Sequence, residues 1–483
     1  MRPNSEEPGR GGAGRPIHRR TRFATLIAAL AAAALLAAGC GSSGSSGGNS
    51  PSAAATSPAA TSSAAATQAA SPAGTAPADD IGITASTIKV GMIADVNNSL
   101  VPGLFQKSVN AVKAWADIVN ASGGLAGRKV VVDFCDSQLN PNATTNCVIK
   151  ACQNDFALVG TSANALEDLS DLDGCKNAEG KAIGIANLTA FAFPPLTCDP
   201  VTYLASGLGP YCKTAKANPQ TYTVPVGDTQ YFLAHNQNLH GIWLYDSDDA
   251  TFKITQTPLF QAESNLGIKK DGQGFYALSG AAAQSALTPF IQQIKASGST
   301  FVYDDVTTAS MVLVRREAQL QGVNSVKVWL CNSGCYDPNF YKQGGAAVNG
   351  TYASLVPLPY LTDYKVNPTL GKLVTQLGGV DNLDNNGLNS FVMALLFQDA
   401  VNKAIANGGT LNRQTLFTAL NDEHSFDADG IIGPTDIGNR VASACSVLVQ
   451  LQNGAWQRVD PVKPGTFDCN KDNLTTINLN TGS

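Results

Sequence analysis

From Thr87 onward, short runs that are apolar at nearly every position alternate with longer runs whose apolar residues recur every three or four positions. The first pattern is that of strands buried on both faces of a parallel sheet, the second that of helices laid against such a sheet. "TIKVGMIAD" (87–95) is a predicted strand. "LFQKSVNAVKAWADIVNASGG" follows as a helix with Val109, Val112, Ala116 and Val119 on one face and Gly123–Gly124 as its stop. Strand "RKVVVDF", helix "NATTNCVIKAC", strand "DFALVGT", helix "NALEDLSDL" and strand "KAIGIAN" continue the alternation. The Pro- and Gly-rich stretch "FPPLTCDPVTYLASGLGPYCKTAKANPQ" then interrupts it. It restarts with helix "TQYFLAHNQN", strand "GIWLYD", a helix over 251–265, strand "TFVYDD", helix "ASMVLVRREAQLQG" and strand "VKVWLC". "NGLNSFVMALLFQDAVNKAIANGG" (386–409) predicts one long amphipathic helix with Phe391, Leu395, Ala400 and Ile405 inward. "ACSVLVQLQNGAWQRVD" predicts two strands around the turn "NGA". The fold class expected is α/β, in two Rossmann-like units in series.

The first 80 residues break this pattern. Arg10, Arg15, Arg19, Arg20 and Arg22 precede the uncharged, alanine-rich run Phe23–Gly39, as in an export signal. The run is weak for a permanent membrane span. It ends in "LLAAGC", which resembles the lipobox of bacterial lipoproteins, with Ala37 where that motif most often has leucine. The resemblance implies cleavage before Cys40 and a diacylglycerol on its thiol, so 1–39 is read as a signal peptide. Gly41–Ala78 holds only Gly, Ser, Asn, Pro, Ala, Thr and Gln, too little apolar surface to offset ordering entropy. With Cys40, it makes 40–80 a lipidated, disordered tether.

The remaining chain of about 400 residues is long enough for two lobes. A net charge of −5, carried with a basic signal segment, gives no footprint for nucleic acid. Ten cysteines follow Cys40, an even number behind an export signal, which argues for disulfides. No histidine stands at zinc-ligand spacing from a cysteine. "SFDADGIIGPTD" (425–436) matches a calcium loop only in part, with no closing glutamate, so no metal and no cofactor are expected.

"GITASTIKVGMIAD", "AWADIVNASGGLAGRKV" and "DGIIGPTDIGNRV" resemble type I periplasmic binding proteins, in particular the receptors of branched-chain amino-acid ABC transporters, over about residues 81–460. The resemblance implies two lobes with parallel sheets joined by a three-segment hinge near 221–224, 350–354 and 441–445. Lobe one is then 81–222 plus 352–443, lobe two 223–351 plus 444–470, and 471–483 a polar tail. It also implies a cleft onto which the carboxyl ends of both sheets open. The polar residues after each strand are the binding candidates. In lobe one these are Asn97, Ser99, Thr161, Ser162, Asn164, Asn187 and Thr189. In lobe two they are Asp246, Asp248, Asp304, Asp305 and Asn332. Phe105 is a candidate aromatic wall and equally a core residue. Asn164 takes the place where family members often hold a substrate carboxylate, and with Glu167 it also spells a capping box.

The expected function is a lipid-anchored receptor on the outer face of the cytoplasmic membrane. It captures a small polar metabolite by hinge closure and delivers it to an ABC permease, as a monomer and without covalent chemistry. A ligand sensor on the same fold is the alternative. A hydrolase, which needs a nucleophile beside an oriented base, has little support in three mature histidines. In a parallel α/β unit, strand ends and helix starts share one side, which favours Cys135–Cys147 and Cys152–Cys175 over Cys135–Cys175. Cys198–Cys212 would close the interrupting loop, Cys331–Cys335 the turn "NSG", and Cys445–Cys469 the terminal segment. This set is a hypothesis, since connectivity does not follow from sequence.

Overall fold

The computed structural model describes residues 80–99, 101–164, 166, 169–191, 196–205, 209–210, 221–244, 250–271, 284–304 and 308–479. Cys40, residues 41–79 of the tether, Cys212, Asp246, Asp248 and Asp305 lie outside the described residues. Asp80, read as the end of the tether, is buried in lobe one and accepts from the Ala178 and Arg413 N–H groups.

The first lobe runs β1 (Thr87–Ala94), α1 (Gln106–Ala121), β2 (Lys129–Asp136), α2 (Pro141–Asn154), β3 (Leu158–Thr161), α3 (Leu169–Asp173), β4 (Asn187–Thr189) and β5 (Thr202–Tyr203). Its sheet, in the order β2-β1-β3-β4-β5, is parallel throughout. β1 and β3 are largely buried on both faces, as their mostly apolar letters require, and β4 is buried as well although Asn187 and Thr189 are polar. "KAIGIAN" forms less strand than its composition predicts. Gly184 takes φ +85, a backbone shape that interrupts a ladder, and a Cβ there would meet Val201 at 2.5 Å, so pairing begins only at Asn187.

β6 (Gly209–Pro210) and β7 (Thr221–Pro225) lead into the second lobe: α4 (Gly227–His235), β8 (His240–Leu244), α5 (Ala250–Leu266), β9 (Lys269–Lys270), α6 (Thr288–Ser297), β10 (Phe301–Asp304), α7 (Thr308–Leu320), β11 (Val328–Cys331), α8 (Pro338–Gly344) and β12 (Thr351–Leu355). Helix α9 (Tyr360–Asp363) still packs on lobe two, through Tyr360 on Tyr336 and Asp363 on Arg458, and α10 (Pro368–Gln376), α11 (Asn385–Ile405) and α12 (Arg413–Asn421) then return to the first lobe. There α11 packs on α1, β3 and β4. β13 (Val447–Gln452), β14 (Ala455–Asp460) and β15 (Leu474–Asn478) close the chain. The second sheet is ordered β14-β13-β12-β11-β10-β8-β9, parallel except for β13 and β14. Asn453 (φ 51) and Gly454 (φ 81) make the β13–β14 turn. Both need positive φ, and a Cβ on Gly454 would meet the Tyr341 ring at 2.9 Å.

Two expected boundaries move. β12 stays in the second sheet to Leu355, so that crossing falls after 355 rather than at 350–354. The segment read as a polar tail contains β15, which pairs antiparallel with β7 from Leu474↔Pro225 to Asn478↔Thr221. Its alternation of exposed and covered positions, with Ile477 buried, is that of an edge ribbon, and the local polarity hides it.

Disulfides join Cys135 to Cys147, Cys152 to Cys175, Cys331 to Cys335 and Cys445 to Cys469, with Cα separations of 5.7, 5.2, 6.1 and 4.0 Å. Cys198 is also disulfide-bonded. Gly433, before Pro434, is where a Cβ would fall 2.2 Å from that of Cys445. The chain there passes too close to the last disulfide for any side chain.

Candidate functional site

The carboxyl ends of β1, β2, β3 and β4 place Asp95, Asp136, Thr161 and Thr189 along one edge of lobe one. Asp95 is fully buried and ties three loops together. Its Oδ1 accepts from Ser137 Oγ (2.6 Å) and Leu139 N–H (2.8 Å), and its Oδ2 from Asn164 N–H (2.7 Å). Asp136 accepts from the Val96, Asn97 and Gln138 N–H groups and from Asn97 Nδ2 at 2.6 Å. Burial works against its charge. The hydrogen bonds from Val96 and Asn97 outweigh burial and hold the carboxyl below the usual range. Both carboxylates brace the loops of this edge.

The predicted residues then separate by role. Asn97 spends its side chain on Asp136, and Ser99 is exposed. Ser162 Oγ is buried and meets Gly160 O and Ser390 Oγ, both at 3.2 Å, so it faces α11 rather than the cleft. Gly160 is required beside it, because a Cβ there would meet Val112 at 2.4 Å. Thr189 Oγ1 donates within the lobe, to Thr161 O (3.0 Å) and Phe191 O (2.6 Å). Asn187 is interior to the sheet, with Nδ2 3.4 Å from Thr202 Oγ1. Phe105 is buried against Phe191, ring centroids 5.2 Å apart, and belongs to the core while walling this edge. Asn164 is an exposed turn residue. The next described helix runs Leu169–Asp173, and Glu167, the other half of the capping reading, lies outside the described residues.

In lobe two, Asp304 ends β10 fully buried and accepts from Ser310 Oγ at 3.0 Å. Asn332 follows β11 and accepts the Gly334 N–H at 2.9 Å. Ser333, next in line, reaches the other lobe: Asn385 Nδ2, at the start of α11, donates to Ser333 Oγ at 2.9 Å. Asp384 caps α11 by accepting from Gly387 N–H at 2.7 Å. Burial, with Asp337 of lobe two adding to it, pushes its carboxyl up, against the pull of Gly387 N–H and Lys107. Thr161 Oγ1 and Asn385 Oδ1 are buried and have no hydrogen-bond partner among the described residues.

Asp95, Asp136, Ser333 and Asn385 were not among the sequence candidates. Asp95 is the last letter of the quoted strand, and buried carboxylates at strand ends are costly unless paired, which was the available signal. Ser390, polar on the buried face of a helix, was another.

His240 Nδ1 contacts Asp271 Oδ2 at 2.7 Å, but Ser299 Oγ donates to the same oxygen at 2.6 Å instead of to the imidazole. This cluster lies at the start of β8, the end away from the cleft edge. No group of three or more His, Cys, Asp or Glu among the described residues is arranged to hold a metal. Two adjoining cavities, about 350 and 240 Å³, lie on lobe one beside the last turns of α1 and α11, also away from that edge. No helix among the described residues is long and apolar enough to cross a membrane.

A family profile described as periplasmic binding protein matches residues 87–206 and 258–455. None of the curated proteins compared with the chain matches it. Among solved structures, a leucine-binding protein LivK from Thermotoga maritima MSB8 superposes with a TM-score of 0.59 at 16% identity, covering 78% of this chain and 99% of that one. A fatty acid ABC transporter substrate-binding protein from Thermomonospora curvata gives 0.60 at 16% identity, covering 80% and 97%. An ABC transporter substrate-binding protein from Aeropyrum pernix gives 0.61 at 18%, covering 80% and 98%.

Proposed function

Because the chain belongs to the periplasmic binding protein family, we propose that it captures a small polar metabolite between its lobes and delivers it to the permease of an ABC importer. In this reading Cys40 carries a lipid that holds the protein at the outer face of the cytoplasmic membrane. The tether, about 35 Å end to end as a flexible chain, lets the lobes reach the permease. What supports the reading is the Ser333–Asn385 contact, which brings the loop after β11 to α11 of lobe one, together with two buried polar atoms that have no hydrogen-bond partner among the described residues, Asn385 Oδ1 at that contact and Thr161 Oγ1 at the end of β3. A buried polar atom without a partner is costly, and a ligand that supplies the missing bond recovers that cost. Thr161 serves as donor or acceptor and Asn385 Oδ1 as acceptor, which suits a ligand with hydroxyl, amide or ammonium hydrogens. Phe105 and Phe191 add an apolar wall for its carbon skeleton. Asn164 and Asn332 extend the rim, and Asp246, Asp248 and Asp305 are further candidates on lobe two.

Binding favours the closed arrangement by the ligand's differential affinity for it. A thermal-shift screen of amino acids, amides, sugars, small aromatics and fatty acids tests the proposal. The neighbours named for leucine and for a fatty acid set the first two probes. A compound that raises the unfolding midpoint in proportion to the logarithm of its concentration supports capture. A screen across these classes without a binder would sink it.

A further inference from the structure

Cys331 ends β11, and its disulfide to Cys335 closes a turn over Asn332, Ser333 and Gly334. The turn is pinned again inside: Gly334 N–H donates to Asn332 Oδ1 (2.9 Å), Cys335 N–H to Asn332 O (3.1 Å), and Thr308 Oγ1 of α7 to Gly334 O (2.9 Å). Ser333 therefore stands at the tip of a stiff loop. Its partner on lobe one is held as firmly. Asn385 is 7% exposed, the helix it begins is capped by Asp384, and Lys107 Nζ donates to Leu383 O at 3.2 Å just before it.

A hydrogen bond between groups already held in place costs little ordering entropy, so more of its energy appears as association. Asp337 and Asp384 approach from opposite lobes at the same seam, so closure also carries a like-charge term that an attractive contact has to offset. We propose that Ser333 and Asn385 form a latch between the lobes, and that the Cys331–Cys335 disulfide keeps the lobe-two half in the shape that reaches Asn385. The latch rests on the capture reading only in that closure is what it serves; it weights the closed arrangement whichever ligand is bound. Ser333 and Asn385 are in this respect positioning residues.

Amide hydrogen exchange of the unliganded full chain tests the latch without knowledge of the ligand. Ser333→Ala should speed exchange in the first turn of α11, residues 385–388 on the opposite lobe, by about three- to tenfold, the effect of losing one hydrogen bond of ordinary net strength. Ser333→Thr, which keeps the hydroxyl, should leave that turn as in the wild type. Cys331→Ser with Cys335→Ser should act in the same direction as Ser333→Ala. The thermal midpoint of Ser333→Ala should stay at the wild-type value, which separates a latch from a general loss of structure. Unchanged exchange at 385–388 in Ser333→Ala overturns the latch. A ligand screen without a binder beside faster exchange sinks solute capture and leaves the latch standing; a binder beside unchanged exchange does the reverse.

Discussion

Replacing Arg413 with methionine should destabilise lobe one by about 3–5 kcal/mol, the usual cost of removing one member of a buried charged network. Arg413 opens α12, is fully buried, and donates Nε to Phe156 O (3.2 Å), Nη1 to Lys176 O (2.6 Å), and Nη2 to both Cys152 O (3.1 Å) and Asp155 O (2.5 Å). Two of these carbonyls lie at the end of α2, where a helix has no internal donor left. The Arg413 N–H also holds Asp80 Oδ2 at 2.7 Å. Methionine fills most of the volume and leaves four carbonyls without this donor. At about 1 kcal/mol or more for each acceptor that water does not reach, the sum falls in the same range as the network figure. Burial lowers the Arg413 pKa, with Asp80 and Asp155 opposing, and a guanidinium so placed stays charged at neutral pH. Urea and thermal unfolding, followed by circular dichroism, measure the change. Arg413→Lys should recover only part of it, because one ammonium does not span four carbonyls. A methionine variant within about 0.5 kcal/mol of wild type at equal urea dependence would refute the reasoning, since that is the scatter of a neutral surface change.

Asp199 is buried, and that burial, opposed by the Thr202 hydroxyl and reinforced by Asp173, pushes its carboxyl up to about 7. The folded state then keeps a proton that the unfolded chain releases near pH 4, so stability falls as pH rises from about 4 to 7 and is level above. Asp199→Asn should flatten that slope in unfolding titrations, and an unchanged slope would count against the assignment. Asp136→Asn weakens the acceptor of the loop 96–99 and should cost about 1–3 kcal/mol of stability at pH 7. Because the Asp136 pKa is lowered, the deficit should shrink as pH falls below about 4, and a deficit that persists at pH 2 would exclude the charge as its cause. Cys40→Ala should release the protein into the medium or leave it unprocessed. A variant that stays membrane-bound and is cut at the same site would disprove lipid anchoring.

Much of this architecture was legible from local letters. Runs apolar at most positions marked β1, β3, β8, β10 and β11, because a strand covered on both faces buries nearly every side chain. The 3.6-residue period marked α1 and α11, and "NG" between two alternating runs marked the β13–β14 hairpin, because that turn needs two positive φ angles. The grouping of cysteines by side of the layer follows from the same rule, since helix starts share a side with strand ends. The candidate site was less legible. Ser162, Asn187 and Thr189 stand where strand-end residues should line a cleft, yet α11 and the neighbouring strands take their side chains, and that depends on which helix returns to cover the sheet. Asn385 meets Ser333 across 52 residues of chain, β15 finds β7 across about 250, and Arg413 reaches carbonyls more than 230 residues earlier. Periodicity describes how a segment meets its nearest layer. Which distant polar groups meet is decided by the order of strands in each sheet and by the docking of one lobe on the other, and neither leaves a mark on the segments themselves.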